Sequence, residues 1–246
     1  MSARRSVGRS VLLLSLLGLM ALFVALAVWQ VERRTWKHAL IERVDRRVHA
    51  EPVDAPGRAR WPVVTRNDDE YRHVRVDGIF VPGRETFVRA ATVLGSGYWL
   101  IVPLRRDDGS IVLVNRGFVA GTDRSQRATA PQRAVVTGLL RITEEGGSLL
   151  RRNDPSVDRW YSRDVYAIAV ARGLQDVAPY FVDADADPEN AADGGAGAVA
   201  RGEPVGGLTV VAFADNHLLY AIIWSLLATL VGWAVIRVLR GSRQTS

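Results

Sequence analysis

Four histidines are the residues of this sequence best suited to bind a metal, and one of them stands apart by its position. The other three are scattered through a polar stretch: His38, His49 and His73. His217 directly precedes a long apolar run, and Tyr220 lies one helical turn further on. Imidazole at a membrane interface is a competent axial ligand for haem iron, and it serves equally as a plain polar residue at a helix start. Taken alone, the residue type favours the plain polar role.

The densest cluster of basic and aromatic side chains is a second candidate site. Residues 151–161 read RRNDPSVDRWY. Guanidinium groups in such a cluster can bind propionates or an acidic protein surface. The same residues fit a surface turn in which arginines pair with Asp154 and Asp158, and composition favours this second interpretation.

Enzyme motifs are missing from the sequence. It contains no P-loop, no G-x-S-x-G, no H-E-x-x-H and no G-x-G-x-x-G pattern. It also contains no cysteine, which excludes covalent haem attachment through C-x-x-C-H, thiolate copper sites and disulfide exchange. We therefore expect a protein that is not an enzyme, with a membrane-tethered enzyme as the weakest alternative.

Two uncharged runs of 19 residues, 11–29 and 218–236, predict transmembrane helices. At about 1.5 Å per residue each run reaches roughly 28 Å, close to the hydrocarbon thickness of a bilayer. Trp29 and Trp224 lie near the expected interfaces, where indole is favoured. A cleaved signal peptide is an alternative for the first run, because residues 25–27 (ALA) resemble a cleavage site. The length of the run and the bulky Trp29 argue against cleavage.

The charge distribution predicts the orientation. The formal net charge is +6, and that excess lies in two short tails, 1–10 and 237–246, which carry three arginines each. Short basic tails stay cytoplasmic, whereas a long loop can be translocated regardless of its charge. The polar domain, residues 30–217, is neutral and is expected outside the cytoplasm. This neutrality argues against nucleic acid as a partner, although the chain is basic as a whole.

The polar domain is predicted to be a single unit of mainly antiparallel β structure with one or two helices. Alternating or apolar runs predict strands at 74–80, 86–90, 98–104, 111–119, 135–142, 180–183 and 208–213. Asp164 is predicted to cap a helix that ends near Gly173. Residues 51–62 read as a linker and 184–201 as a mobile insertion. The fold class is thus an α+β membrane protein with two transmembrane helices flanking this domain.

Several segments together resemble the Surfeit-locus (Surf-type) family of cytochrome c oxidase assembly proteins. Residues 29–41 (WQVERRTWKHALI) are similar to the family's W-Q-x-x-R-x-x-W-K-x-x-L-I segment, and 114–119 (VNRGFV) to its V-N-R-G-W/F-V signature. Further matches follow in the expected order at 71–80, 97–104, 153–161 and 206–224. Ala27 departs from the pattern, which has glycine there, and Asp215 stands where asparagine is common.

The resemblance implies a role in making haem-copper oxidase. Family members assist the delivery or insertion of haem a into subunit I, and bacterial members are thought to bind haem a through a histidine that maps onto His217. We therefore expect His217 as the axial ligand of the haem iron, with Tyr220, Trp224, Trp29 and Gln30 as further contacts. The expected partners are cytochrome c oxidase subunit I, haem a synthase and the lipid bilayer. The expected location is a bacterial inner membrane, with both termini cytoplasmic.

Two points stay open within that resemblance. The chain can act as a scaffold that stabilises subunit I and never touches haem. The VNRGFV segment has no evident chemistry: Arg116 can face a partner or pair inside the domain, and Asn115 and Gly117 can shape a bend. We treat the segment as structural.

Overall fold

Two compact units make up the chain. The structure is a computed structural model and describes residues 2–122, 131–148, 151–188, 194–209 and 216–240. The helical unit consists of Met1–Arg43 together with Ala212–Ser246. The barrel unit consists of Val44–Val211.

Two long helices dominate the helical unit. Helix α1 spans Ser2–Val48, and helix α5 spans His217–Arg240. Both are long and apolar enough to cross a membrane, and their apolar stretches are largely exposed. Helix α1 continues past its apolar run and ends at Val48.

The two helices pack through small side chains of α5. Ala221, Ala228 and Val235 are buried and follow one another at seven-residue spacing, which places them on one face of the helix. A Cβ added to Gly232 would lie 3.4 Å from the Met20 sulfur, so the Met20 side chain packs closely over this glycine. Small residues at such a contact let two membrane helices approach without a hydrophobic driving force.

The barrel unit is built from short and medium-length strands. In chain order these are β1 Val53–Asp54, β2 His73–Phe80, β3 Thr86–Thr92, β4 Gly95–Arg105, β5 Ile111–Val119, β6 Arg133–Ile142, β7 Gly147–Ser148, β8 Arg151–Arg152 and β9 Val177–Ala184. The short helices are α2 Arg66–Asp69, α3 Val165–Ala171 and α4 Ala196–Ala200. Two 3-10 turns lie at Arg58–Val63 and Pro155–Val157.

Five strands close into a barrel in the order β2-β6-β9-β5-β4, and β4 pairs back onto β2. β1 and β3 extend the sheet beside β2 and β4. The closing contact is short, because it joins only Ile79 to Arg105 and Phe80 to Leu104. Closure removes exposed strand edges, which otherwise invite pairing with other chains.

Strands β4, β5 and β9 are buried on both faces, which explains their continuous apolar runs. Leu100, Val102 and Leu104 point into the barrel, while Ile101 packs on the outside. The outer layer is completed by helix α3, whose Val165 and Ile168 are buried there. Asp164 starts this helix as predicted, since its carboxylate accepts a hydrogen bond from the Ala167 N–H at 3.0 Å.

The structure corrects the predicted sheet in several respects. The described sheet is mixed, because β9 runs parallel to β5 and β1 runs parallel to β2. β9 is also longer than the predicted strand at 180–183 and lies centrally. Of the predicted strand 208–213, residues 208–209 are irregular and 210–213 lie outside the described residues. Of the insertion 184–201, residues 189–193 lie outside the described residues, and Ala196–Ala200 is helical.

The segment predicted as a linker is held against the barrel. Tyr180, inside the barrel, donates a hydrogen bond to the Pro56 carbonyl at 2.6 Å, and Trp61 donates to the same oxygen at 3.1 Å. Burial raises the pKa of Tyr180 to about 12, so the phenol stays a donor across the physiological range. Residues 53–63 are thereby part of the barrel unit rather than a free tether.

We expect Gly78→Ala to weaken the closing contact of the barrel. A Cβ at this position would lie 2.4 Å from the Arg105 carbonyl oxygen, so β2 and β4 would have to separate. The expected loss is about 2 kcal/mol in the free energy of unfolding, measured by urea titration.

Gly57→Ala is the matched control, because a Cβ there meets nothing within 4 Å and the backbone φ is −81°. It should change the free energy of unfolding by less than about 0.5 kcal/mol. Equal stability of the two variants would contradict the closing role assigned to Gly78.

Candidate functional site

His217 and Gln30 meet where α1 and α5 come together. The Nδ1 atom of His217 lies 2.8 Å from the Oε1 atom of Gln30. Gln30 is polar, and yet it is buried, with only 9% of its surface exposed. This contact joins the end of the first apolar run to the first residue of the second helix.

The hydrogen bond sets the tautomer of the His217 ring. An amide oxygen only accepts, so the proton lies on Nδ1 and the ring lone pair lies on Nε2. Metal-binding histidines are commonly held in this way, with the second nitrogen donating to a carbonyl or carboxylate oxygen. The pair could therefore hold haem iron through His217. The sequence predicts Gln30 as a contact of the haem, whereas its contact with His217 is visible only in the structure.

The aromatic residues predicted beside His217 divide into two groups. Trp224 stacks on Phe23 with ring centroids 5.6 Å apart, which places it between the helices. Trp29 and Tyr220 are 53% and 48% exposed and lie on the outer surface. The Phe23–Trp224 stack lies seven residues along each helix from the Gln30–His217 contact, as antiparallel helices require. Of the predicted contacts, the structure thus brings Gln30 to His217 directly.

A buried carboxylate organises the barrel unit. Asp183 on β9 is 3% exposed and accepts a hydrogen bond from the Asn115 side-chain amide at 2.8 Å. It forms ion pairs with Arg141 at 2.9 Å and with Arg163 at 3.0 Å. Thr209 donates a further hydrogen bond to it at 2.9 Å. All its partners are polar donors, which compensates the cost of burying the charge.

Two further carboxylates, those of Glu70 and Glu144, also pair with these arginines. Glu70 lies 3.4 Å from Arg141, and Glu144 binds Arg163. Burial raises the pKa of Glu144, but the hydrogen bond and positive charge of Arg163 more than offset this and hold the pKa below its usual range. The Arg163 guanidinium also lies 4.8 Å from the centre of the Phe181 ring. The cluster joins β5, β6 and β9 to the segment before α3.

The VNRGFV segment is explained by this cluster and by a bulge. The register of β5 against β4 shifts between the pairs Trp99–Phe118 and Ile101–Asn115. Gly117 lies in the bulge with φ of +126°, and a Cβ there would lie 2.1 Å from the Val205 carbonyl oxygen. The bulge lets residue 205 pair with Phe118, and no other residue type fits that close approach. The structural interpretation of Asn115 and Gly117 therefore agrees with the geometry.

Residues 151–161 form a turn at the surface of the barrel unit. Asn153 accepts hydrogen bonds from the backbone of Tyr161 and Ser162 at 2.8 and 3.1 Å. Trp160 is buried, and its indole donates to Asp158 at 2.7 Å. Asp158 also pairs with Arg172, at the C-terminal end of α3. The predicted surface turn is present.

Comparison with known proteins identifies the family. A model of the SURF1 family matches residues 17–229, which include the barrel unit and parts of both long helices. The chain belongs to the SURF1 family. It is 31% identical over 219 residues to Surfeit locus protein 1 of Mus musculus and 30% identical over 220 residues to that of Homo sapiens. It is also 30% identical over 251 residues to a SURF1-like protein of Monosiga brevicollis.

These SURF1-family matches cover most of the chain and a smaller part of some relatives. The alignments with the mouse and human proteins cover 81% of this chain, 66% of the mouse protein and 68% of the human one. The chain thus spans about two thirds of their length. The choanoflagellate alignment covers 93% of this chain and 88% of the relative. The resemblance inferred from the motifs is confirmed at the level of the family.

We expect Asp183→Asn to destabilise the barrel unit. The substitution removes the negative charge but keeps the shape, so Arg141 and Arg163 lose a buried counter-ion. Breaking a buried pair in this way costs about 3 kcal/mol, read as a lower midpoint of unfolding. Asp54→Asn, which loses an exposed pair with Arg75, should leave the midpoint unchanged, and an equal drop in both variants would refute the central role of Asp183.

His73 gives the barrel unit a pH dependence. Its Nε2 atom lies 2.8 Å from Asp185 and its Nδ1 atom 2.8 Å from the Ala50 carbonyl. Burial lowers the pKa of the ring, but these partners more than offset it, so the pKa lies above its usual 6.5. Stabilisation by the pair is therefore complete below about pH 6.5 and is lost as the pH rises through the raised pKa.

The test is the unfolding free energy of wild type and His73→Gln between about pH 5.5 and 9. The difference between the two proteins should be largest at the acidic end and shrink as the pH rises. His49→Gln, at an exposed histidine, should show no such trend. A difference that grows with pH would contradict the assignment.

Proposed function

We propose that this chain is a membrane-anchored assembly factor of cytochrome c oxidase that holds haem a through His217 and passes it to subunit I. The observation that carries the proposal is the Gln30–His217 hydrogen bond at the start of an apolar helix. Membership of the SURF1 family supports the assembly role, and the absence of enzyme motifs in the sequence agrees with a non-catalytic protein.

Each residue of the helix junction has a distinct task in this proposal. His217 would hold the iron through its Nε2 atom, and Gln30 would fix the ring orientation through Nδ1. Haem, when bound, would supply an iron atom that accepts a nitrogen ligand. Tyr220 and Trp29, with Trp224 two turns along α5 from His217, would supply apolar surface for the macrocycle. Burial of such surface is worth about 25 cal/mol per Å². A single protein ligand would keep release possible, which delivery requires.

The antiparallel helices supply the geometry that delivery to a membrane protein needs. Because Gln30 and His217 are in contact, both chain ends point away from the junction in the same direction. The arginines of both tails favour a cytoplasmic location for those ends, on the inner side of a bacterial inner membrane. The haem junction then lies at the outer surface of the membrane, where subunit I and haem a synthase are the proposed recipient and donor.

A scaffold that contacts subunit I without binding haem is the second candidate. Arg89 and Arg151 are exposed and lie 5.9 and 5.4 Å from the centre of the Tyr161 ring. An arginine and tyrosine surface of this kind is typical of protein interfaces. This observation favours protein contact by the barrel unit, and it is compatible with haem binding by the helical unit.

The experiment is an absorption spectrum of the detergent-purified full chain made in cells that synthesise haem a. We expect a haem a band in the wild type that is lost in His217→Ala. Gln30→Leu should retain some haem with a shifted band and at least about tenfold weaker binding, because the ring loses its orienting acceptor.

His49→Ala is the matched control, since it removes an exposed histidine outside the junction. It should keep the wild-type spectrum. A haem band that survives in His217→Ala, or no band in any protein while oxidase still fails to mature without the chain, would refute haem binding at His217. The second result would leave the scaffold.

A further inference from the structure

A large cavity opens in the barrel unit where β9 ends. β9 lies between β5 and β6 and ends at Ala184. Beyond that residue a gap is left between β5 and β6, and the segments 185–188 and 201–206 border it. The cavity has a volume of about 810 Å³. We call it the barrel mouth, and its lining includes Phe80, Val114, Arg116, Ala134, Val136 and Ala184. Its size is that of a small-molecule pocket, and the mouths of β-barrels are a recurrent place for such pockets.

Arg116, on strand β5, contributes a positive charge to the lining of this cavity. Val112 and Val114 point into the barrel, so Arg116 shares their face at the point where the bulge of β5 begins. Its guanidinium lies 5.2 Å from the centre of the Phe80 ring. The part of the lining that comes from β2, β5 and β6 thus combines the Arg116 guanidinium with apolar side chains, and Arg201 lies on the rim.

Arg116 has no ion pair or hydrogen bond through its side chain within the described residues, although it is mostly buried. Two carboxylates of the rim are engaged elsewhere, because Asp185 pairs with His73 at 2.8 Å and Glu203 pairs with Arg201 at 2.8 Å. Burial lowers the pKa of Arg116, and no acidic group offsets that effect. The partly desolvated guanidinium faces the cavity without a counter-ion among the described residues, and an anionic ligand would supply one.

We propose that the barrel mouth binds an amphipathic organic monocarboxylate. The carboxylate pairs with the planar guanidinium of Arg116 through two hydrogen bonds, and the apolar body lies against Phe80 and Val136. The proposed ligand carries a single negative charge, because Asp185, Asp187 and Glu203 also line the cavity and would repel a doubly charged phosphate. This site belongs to the barrel unit and does not depend on haem binding at His217.

The test is isothermal titration of the detergent-solubilised full chain with 2-naphthoate, 2-naphthamide and 2-naphthyl phosphate, each corrected with protein-free micelles. Octanoate tests a carboxylate with a different apolar body. We expect saturable one-site binding of at least one carboxylate, with the amide and the phosphate at least about tenfold weaker. Arg116→Gln should weaken carboxylate binding by about tenfold to hundredfold and leave amide binding unchanged.

Arg105→Gln is the charge-matched control, because this arginine is exposed on the neighbouring strand β4. It should bind all ligands as the wild type does. Arg116→Gln should also keep the wild-type unfolding midpoint without ligand, as expected of a cation that makes no structural ion pair. Absence of saturable carboxylate binding, equal binding by Arg116→Gln, tighter binding of the phosphate, or a lowered midpoint in Arg116→Gln would each overturn the proposal.

Discussion

The barrel unit depends on the hydrogen bonds and ion pairs made by a single buried carboxylate, that of Asp183. Its partners come from β5, from β6, from the segment before α3 and from Thr209 near the end of the unit. A charge at that depth is tolerable only when every donor is in place, so the cluster specifies how the strands are joined. Asn115 therefore has to stand next to the bulge, and the VNRGFV segment follows from this requirement.

The bulge connects the buried cluster to the barrel mouth. Asn115 turns toward Asp183, Arg116 toward the cavity, and Gly117 permits the close approach of Val205. Three consecutive residues thus serve three different neighbours, which a regular strand with strict alternation cannot do. A motif that looks like plain strand structure in the sequence is the point at which core, cavity and rim meet.

Different interactions hold the helical unit together. Two apolar helices gain little from burying apolar surface against each other in a membrane, so close packing at Ala221, Ala228 and Gly232 and a polar contact between them matter more. The Gln30–His217 hydrogen bond is that contact. This bond connects the two helices and also orients the His217 ring. The pair therefore has a structural role as well as the proposed functional one.

The sequence by itself determined the two apolar helices, most strand positions, the Asp164 cap and the family. These features follow from local composition, periodicity and motif order, which act over a few residues. The tertiary structure decided barrel closure through Ile79 and Arg105, the parallel placement of β9 beside β5, the partner of His217 and the packing of Arg116 on Phe80. Each joins residues far apart in the chain, and residue pattern carries no distance between them. The burial that makes Asp183 and Gln30 decisive exists only once the surrounding elements have packed.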